Sequence, residues 1–192
     1  MFRTIAEKTV NLLIKHRILD KYDVDIYIYG LEVVLLNGLL LISFLMMSIW
    51  FDMIFHFVGF IVVFVPLRVF TGGYHAKRSE TCFIMSNVIY LLSLVIAKES
   101  SELHNNIYVI MVTLVLVFVM YIGSPVENQN RPLTDYQLKR NRIITFIVIA
   151  IDFVLLLVLL KFDNNIASSV IIFMFLNGGL FILGILDNMF TQ

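Results

Sequence analysis

The sequence predicts an all-α membrane protein, and its composition, its apolar stretches and the placement of its charges each support that prediction. Of the 192 residues, 60% are hydrophobic and only 15% are charged, which is more apolar than a soluble domain of this size tolerates. Fourteen basic and fourteen acidic residues cancel, so the overall charge gives no indication of a nucleic-acid partner. We therefore expect residues 1–192 to form a single integral membrane domain.

Charged or Pro/Gly-containing segments divide the chain into six apolar stretches, each a candidate transmembrane helix. The predicted spans are residues 30–49, 53–70, 82–97, 107–122, 143–160 and 166–186. A helix needs about 20 residues to cross a hydrocarbon core about 30 Å thick, so the third and fourth predicted spans are short.

The basic residues predict how these spans are oriented. Twelve of the 14 lysines and arginines lie in the N-terminal segment or in the loops after the second and fourth spans. The other loops share only Lys98 and Lys161. Because cytoplasmic loops carry an excess of Lys and Arg, both termini and the loop after the second span are predicted to face the cytoplasm.

Residues 1–22 are predicted to contain a cytoplasmic amphipathic helix. Apolar positions recur there at helical spacing, with most of the charged residues on the opposite side. The positions on this face are Phe2, Ile5, Thr9, Leu12 and Leu13. Such a helix either lies in the membrane interface near anionic head groups or packs on the rest of the protein.

The segment "TGGYHAKRSETC", residues 71–82, holds the chain's only cysteine, Cys82, seven positions after His75. On an unbroken helix this spacing separates the two residues by about 10.5 Å along the axis, too far for a hydrogen bond. Gly72 and Gly73 permit positive φ angles, so the chain can fold back. Ser79 is predicted to be the N-cap of the third span, which would place Cys82 in its first turn.

A cysteine in the first turn of a helix can be a nucleophile, because the helix dipole and neighbouring cations favour the thiolate. A nearby histidine can then protonate the departing amine of a cleaved peptide bond. The alternative is that Cys82 is a small apolar residue at a membrane boundary and that His75 is a solvated loop residue. Residue chemistry alone leaves both interpretations open.

Two segments, "PLRVFTGGYHAKRSETC" and "SPVENQNRPLTDYQLKR", resemble the accessory gene regulator protein B (AgrB) family, membrane cysteine endopeptidases of bacterial peptide quorum sensing. The Arg, Gly-Gly, His and Cys that recur in the family's first motif correspond to Arg68, Gly72, Gly73, His75 and Cys82. The second motif corresponds to Ser124–Glu127 and Asn130–Leu133. Lys139 and Arg140 match only the basic character of the family's second loop.

The resemblance implies that Cys82 attacks an AgrD-like propeptide before its acidic C-terminal tail, with His75 as general base and acid. The resulting thioester would then be attacked by a Cys or Ser of the peptide, giving a cyclic thiolactone or lactone. The resemblance further implies a bacterial cell membrane location, contact with membrane lipids, a homodimer and no cofactor.

The supporting residues each have more than one interpretation. Arg68 could orient the loop, bind a carboxylate of the peptide tail, or anchor the second span at the interface. Gly72 and Gly73 are interpreted as residues that shape the loop, and Lys139 and Arg140 as cations that attract the tail or merely set topology.

Other polar residues leave two rival functions open. Asp152 within the fifth span is compatible with a small peptide transporter or exporter, and a scaffold without chemistry is a further alternative. Glu32 lies near the start of the first span and has no assigned role. The remaining histidines lack the spacing of metal ligands, so no metal is predicted; they are His16, His56 and His104. The glycines of "LNGLLLI" and "LNGGLFI" are predicted to pack against neighbouring helices.

Overall fold

A computed structural model describes residues 2–16, 18–19, 21–74, 78–99, 103–126, 133–162 and 164–190. Within these ranges the chain is a bundle of seven helices joined by loops and short 3₁₀ turns. The helices are α1 (Phe2–Lys15), α2 (Val24–Trp50), α3 (Ile54–Thr71), α4 (Ser79–Glu99), α5 (Ile107–Gly123), α6 (Asp135–Phe162) and α7 (Asn164–Phe190). The all-α prediction is confirmed for the described part of the chain.

Five helices, α2, α3, α4, α6 and α7, are long and apolar enough to cross a membrane. The sixth candidate, α5, is also apolar but has only 17 residues. Large apolar side chains point outward along these helices, including Val34 on α2, Phe118 on α5 and Val154 on α6. An outward apolar surface of this extent is expected where lipid replaces water as the surrounding solvent.

Helix α6 starts at Asp135, eight residues before the predicted fifth span. The reason is a reciprocal capping box: Thr134 N–H donates to Gln137 Oε1 at 3.0 Å, and Gln137 N–H donates to Thr134 Oγ1 at 3.3 Å. Lys139 and Arg140 therefore lie on a helix, and the prediction that they belong to a loop is wrong.

Helix α3 contains a wide π-type turn, Phe60–Phe64, which ends two residues before Pro66. Proline has no N–H, and its ring crowds the carbonyl group four residues earlier, so a local widening lets the helix continue through it. The Asn177 side chain of α7 donates to the Phe64 carbonyl at 3.3 Å. A neighbouring helix therefore supplies a polar partner beside the irregular turn.

Helix α7 is the central element, because it is the most buried of the spanning helices and packs on α3, α4, α5 and α6. Its Phe173 meets Phe60 of α3 edge to face, with ring centroids 5.8 Å apart. Phe44 of α2 stacks on Tyr90 of α4 at 4.2 Å. This aromatic core holds the helices that carry the candidate site.

Only one of the predicted glycine packing sites is observed. A Cβ at Gly178 of α7 would lie 2.5 Å from Leu116 Cβ, so Gly178 lets α5 approach closely. A Cβ at Gly38 or Gly179 would meet nothing within 4 Å. The packing prediction is therefore wrong for Gly38 and Gly179 within this chain.

Buried polar side chains face the interior of the bundle. His56 Nδ1 of α3 lies 2.9 Å from Ser169 Oγ of α7, and its Nε2 lies 3.0 Å from Ser93 Oγ of α4. Asp152 of α6 is 1% exposed, and its carboxylate oxygens have no hydrogen-bond partner within the described residues. Facing the interior spares these groups contact with lipid, where their burial would be most costly.

Helix α1 packs on α2, but only part of the predicted face is buried. Its buried residues are Phe2, Ala6 and Val10, of which only Phe2 belongs to the predicted face, whereas Ile5 and Leu12 remain 45% and 58% exposed. The packing alternative is therefore observed, and two apolar side chains are left pointing away from the bundle.

Replacing the imidazole that joins α3, α4 and α7 should destabilise the bundle. We expect His56→Ala to lower the free energy of unfolding by about 1–3 kcal/mol, because two interhelical hydrogen bonds are lost. Thermal unfolding in detergent measures the effect, with His16→Ala as the control because His16 is exposed at the end of α1. Equal stability of the two variants would contradict a bracing role for His56.

Candidate active site

Cys82 lies at the N-terminal end of α4. Ser79 is the first helical residue, and the Cys82 N–H makes an early bond of the helix, to the Arg78 carbonyl at 3.0 Å. The Cys82 side chain is partly exposed. Cys82 is therefore the fourth residue of the helix, close to the free amides at its start.

The prediction that Ser79 caps α4 is wrong. Its hydroxyl donates a hydrogen bond to Glu32 Oε1 of α2 instead. A carboxylate is a stronger acceptor than a neutral group, which accounts for this interhelical contact. Glu32, to which the sequence assigned no role, therefore fixes the start of the helix that carries Cys82.

An open cleft of about 630 Å³ lies beside this end of α4. Its walls come from α1, α2 and the start of α4, and consist of Arg3, Tyr29, Glu32, Arg78, Ser79 and Glu80. On the same side, Phe2 of α1 contacts Phe83 of α4, with ring centroids 5.9 Å apart. The residue next to Cys82 therefore contacts α1, while the lining of the cleft includes both basic and acidic side chains.

Arg68, in the last turn of α3, holds the loop that follows α3. Its guanidinium donates to the Gly72 carbonyl at 2.7 Å and also to the Tyr74 carbonyl. These contacts correspond to the first of its three predicted roles, orientation of the loop.

Gly72 and Gly73 adopt φ angles of 74° and 121°, which side chains with a Cβ rarely tolerate. A Cβ would lie 2.3 Å from the Val126 carbonyl oxygen at Gly72 and 2.2 Å from Arg68 Nη1 at Gly73. Both the backbone conformation and the lack of space therefore require glycine. The predicted sharp turn is present at this pair.

The two sequence motifs meet in the structure. Gly72 and Val126 form an isolated parallel β-bridge, in which Val126 N–H donates to the Thr71 carbonyl at 2.9 Å. No sequence pattern indicates this contact, because the two positions lie 54 residues apart in the chain. The loop after α5 therefore helps to support the loop after α3.

His75 lies outside the described residues, so the predicted contact between His75 and Cys82 stays a prediction. Glu127 of the second motif also lies outside the described residues. Tyr74 is the last described residue before His75. Lys139 and Arg140 are exposed on α6, where Arg140 donates to Asn141 Oδ1 at 3.4 Å.

The contact of this loop with α7 was also not predicted from the sequence. Tyr74 N–H donates to the Leu180 carbonyl at 2.9 Å, beside Gly184. The only sequence signal was a glycine in an apolar helix, which by itself does not distinguish helix packing from the support of a loop.

Comparison with known proteins identifies the family. The family model described as Accessory gene regulator B matches residues 6–185. No curated protein and no solved structure gives a significant match. Because the family match covers far more than half of the chain, the protein belongs to the accessory gene regulator B family of multi-pass membrane proteins that process quorum-sensing propeptides.

Proposed function

We propose that this protein is a membrane cysteine endopeptidase that removes the C-terminal tail of an AgrD-like propeptide and leaves the remainder as a thioester. The observation that carries the proposal is the position of Cys82, partly exposed near the start of α4 and next to the loop that Arg68 holds. A partly exposed thiol can be reached by a peptide, and sulfur is an effective nucleophile towards a carbonyl carbon.

In the proposed first step, the Cys82 thiolate attacks the carbonyl carbon of the peptide bond before the tail. His75, which follows the positioned Tyr74, holds the proton taken from the thiol and gives it to the departing amine. The carbon–nitrogen bond breaks and the tail leaves with a free amino group. The product is a thioester between Cys82 and the new C-terminus of the peptide.

In the proposed second step, a Cys or Ser of the same peptide attacks the thioester carbonyl. Its proton passes through His75 to the Cys82 sulfur, so the enzyme returns to its starting state. The peptide is released as a cyclic thiolactone or lactone. Hydrolysis of the thioester would instead yield a linear acid.

Other residues have supporting roles in this proposal. Arg68 holds the glycine loop through the Gly72 and Tyr74 carbonyls. Lys139 and Arg140, both exposed on α6, offer positive charge to an acidic tail.

We further propose six spans, with α5 as the fourth and with both termini and Cys82 on the cytoplasmic side. At about 1.5 Å per residue, 17 residues extend about 25 Å, a few ångströms short of the hydrocarbon core and within what local bilayer thinning accommodates. The exposed Ile5 and Leu12 of α1 would reach into the interface. Family resemblance adds a homodimer to this proposal.

Removal of the nucleophile should abolish processing. We expect Cys82→Ala to reduce tail removal at least about a thousandfold and to form no covalent adduct, because no other step replaces attack by sulfur. Intact mass spectrometry of the purified protein mixed with peptide detects the thioester. Thr81→Ala is the control, since Thr81 is an exposed neighbour on the same turn.

Full tail removal by Cys82→Ala would contradict the endopeptidase proposal and would favour the transporter or the scaffold. Loss of processing together with loss of the adduct would exclude both rivals, because neither requires a thiol.

The rate of thioester formation should depend on the forked shape of the Arg68 side chain and not only on its charge. We expect Arg68→Lys to slow thioester formation about 10–100-fold, because a lysine cannot hold both the Gly72 and Tyr74 carbonyls in the same geometry. Single-turnover kinetics measures the rate. Arg142→Lys, an exposed site on α6, is the control, and a wild-type rate for Arg68→Lys would exclude the loop-holding role.

The proposed orientation can be tested with two matched positions. The Cys82→Ala variant has no cysteine, so a single new cysteine can be placed at Tyr108 or at Tyr136, both exposed at helix starts. We expect a membrane-impermeant maleimide added to intact cells to label position 108 and not position 136. The reverse pattern would overturn the orientation.

A further inference from the structure

Gly184 lies where α7 passes under the loop that follows α3. A Cβ at this position would lie 2.5 Å from the Gly73 carbonyl carbon, 2.5 Å from the Tyr74 nitrogen and 2.6 Å from Gly73 Cα. All three atoms belong to the backbone, so no side-chain rotation can relieve the overlap. Any other residue at 184 must therefore push the loop away from α7.

A hydrogen bond holds the loop at the same place. The Tyr74 N–H donates to the Leu180 carbonyl, one turn before Gly184, at 2.9 Å. A helix carbonyl has two lone pairs and can accept this bond in addition to one from its own helix. The approach is reciprocal, because a Cβ on Gly73 would lie 2.9 Å from the Leu180 carbonyl oxygen and 3.1 Å from Phe181 Cα.

The same loop carries the contacts of the proposed site. The Tyr74 carbonyl accepts a bond from Arg68, which also holds the Gly72 carbonyl. In the sequence, Tyr74 directly precedes His75, the base of the proposed reaction. Displacing the loop from α7 would therefore disturb the Arg68 contacts and the segment that leads to the proposed base.

We propose that Gly184 is a positioning residue for the reaction at Cys82. Because Gly184 has no side chain, the backbone of Gly73 and Tyr74 can lie directly against α7. The proposal rests on the endopeptidase function. It differs from ordinary helix packing, for which Gly178 is the example on the same helix, because Gly178 meets a side chain of α5 and Gly184 meets the backbone of the site loop.

Three alanine variants on one helix separate these roles. Gly184→Ala displaces the loop, Gly178→Ala disturbs only the contact with α5, and Gly179→Ala enters open space. We expect Gly184→Ala to slow single-turnover thioester formation about 100-fold at saturating peptide, because displacement of a reacting group by about 1 Å costs this much. A merely structural change would lower the fraction of active protein and leave the rate constant unchanged, as expected for Gly178→Ala.

Hydrogen exchange followed by mass spectrometry tests the contact of Gly73 and Tyr74 with α7 without any substrate. We expect the Tyr74 amide to be protected in the wild-type protein and in Gly179→Ala, and to exchange faster in Gly184→Ala. Fast exchange at Tyr74 in the wild-type protein would overturn the proposal, even if Gly184→Ala cannot be purified.

The two proposals fail in different ways. A wild-type protein that forms no thioester would remove the endopeptidase function, and the role of Gly184 with it. A wild-type protein that forms the thioester no faster than Gly184→Ala would remove only the role of Gly184.

Discussion

The backbone contact between the glycine loop and α7 is the constraint on which the site depends. A loop at the boundary of a membrane must find polar partners within the protein, because lipid offers none. The loop after α3 finds them in Arg68, in the Leu180 carbonyl and in Val126. Each partner comes from a different part of the chain, so the loop adopts its shape only when α3, α7 and the loop after α5 are all in place.

The helices that carry these partners are aligned by buried polar contacts deeper in the bundle. His56 bonds to α4 and α7 at once, and Asn177 of α7 reaches the Phe64 carbonyl of α3. These contacts fix α3 and α4 relative to α7, and therefore fix where Arg68 and Cys82 lie. In lipid, where apolar surfaces alone give little preference for one helix register, such directional bonds are well suited to select it.

How much the sequence predicted depends on the distance over which each signal acts. Hydropathy is a local signal, and it predicted the apolar helices. The Gly72–Gly73 turn was also predictable, because glycine permits the positive φ angles that a sharp turn requires. The Thr134–Gln137 capping box is also a local signal, because its two residues lie three positions apart. By contrast, two contacts join residues that are far apart in the chain: the Ser79 bond to Glu32, and the contact of Gly184 with the loop after α3. No pattern in a single sequence predicts such contacts.

The open cleft bears on how the proposed thioester would avoid hydrolysis. The Cys82 side chain is partly exposed, and an open cleft lies at the same end of α4, so the described residues do not enclose the thiol. Ring closure has a second advantage, because a well-oriented nucleophile within the same peptide reaches effective concentrations of about 10⁵ M or more, far above that of water. That advantage exists only while the acyl group and the base are held in fixed positions. For the proposed cyclisation, rigid support of the loop by α7 is then a more important requirement than a lid over Cys82.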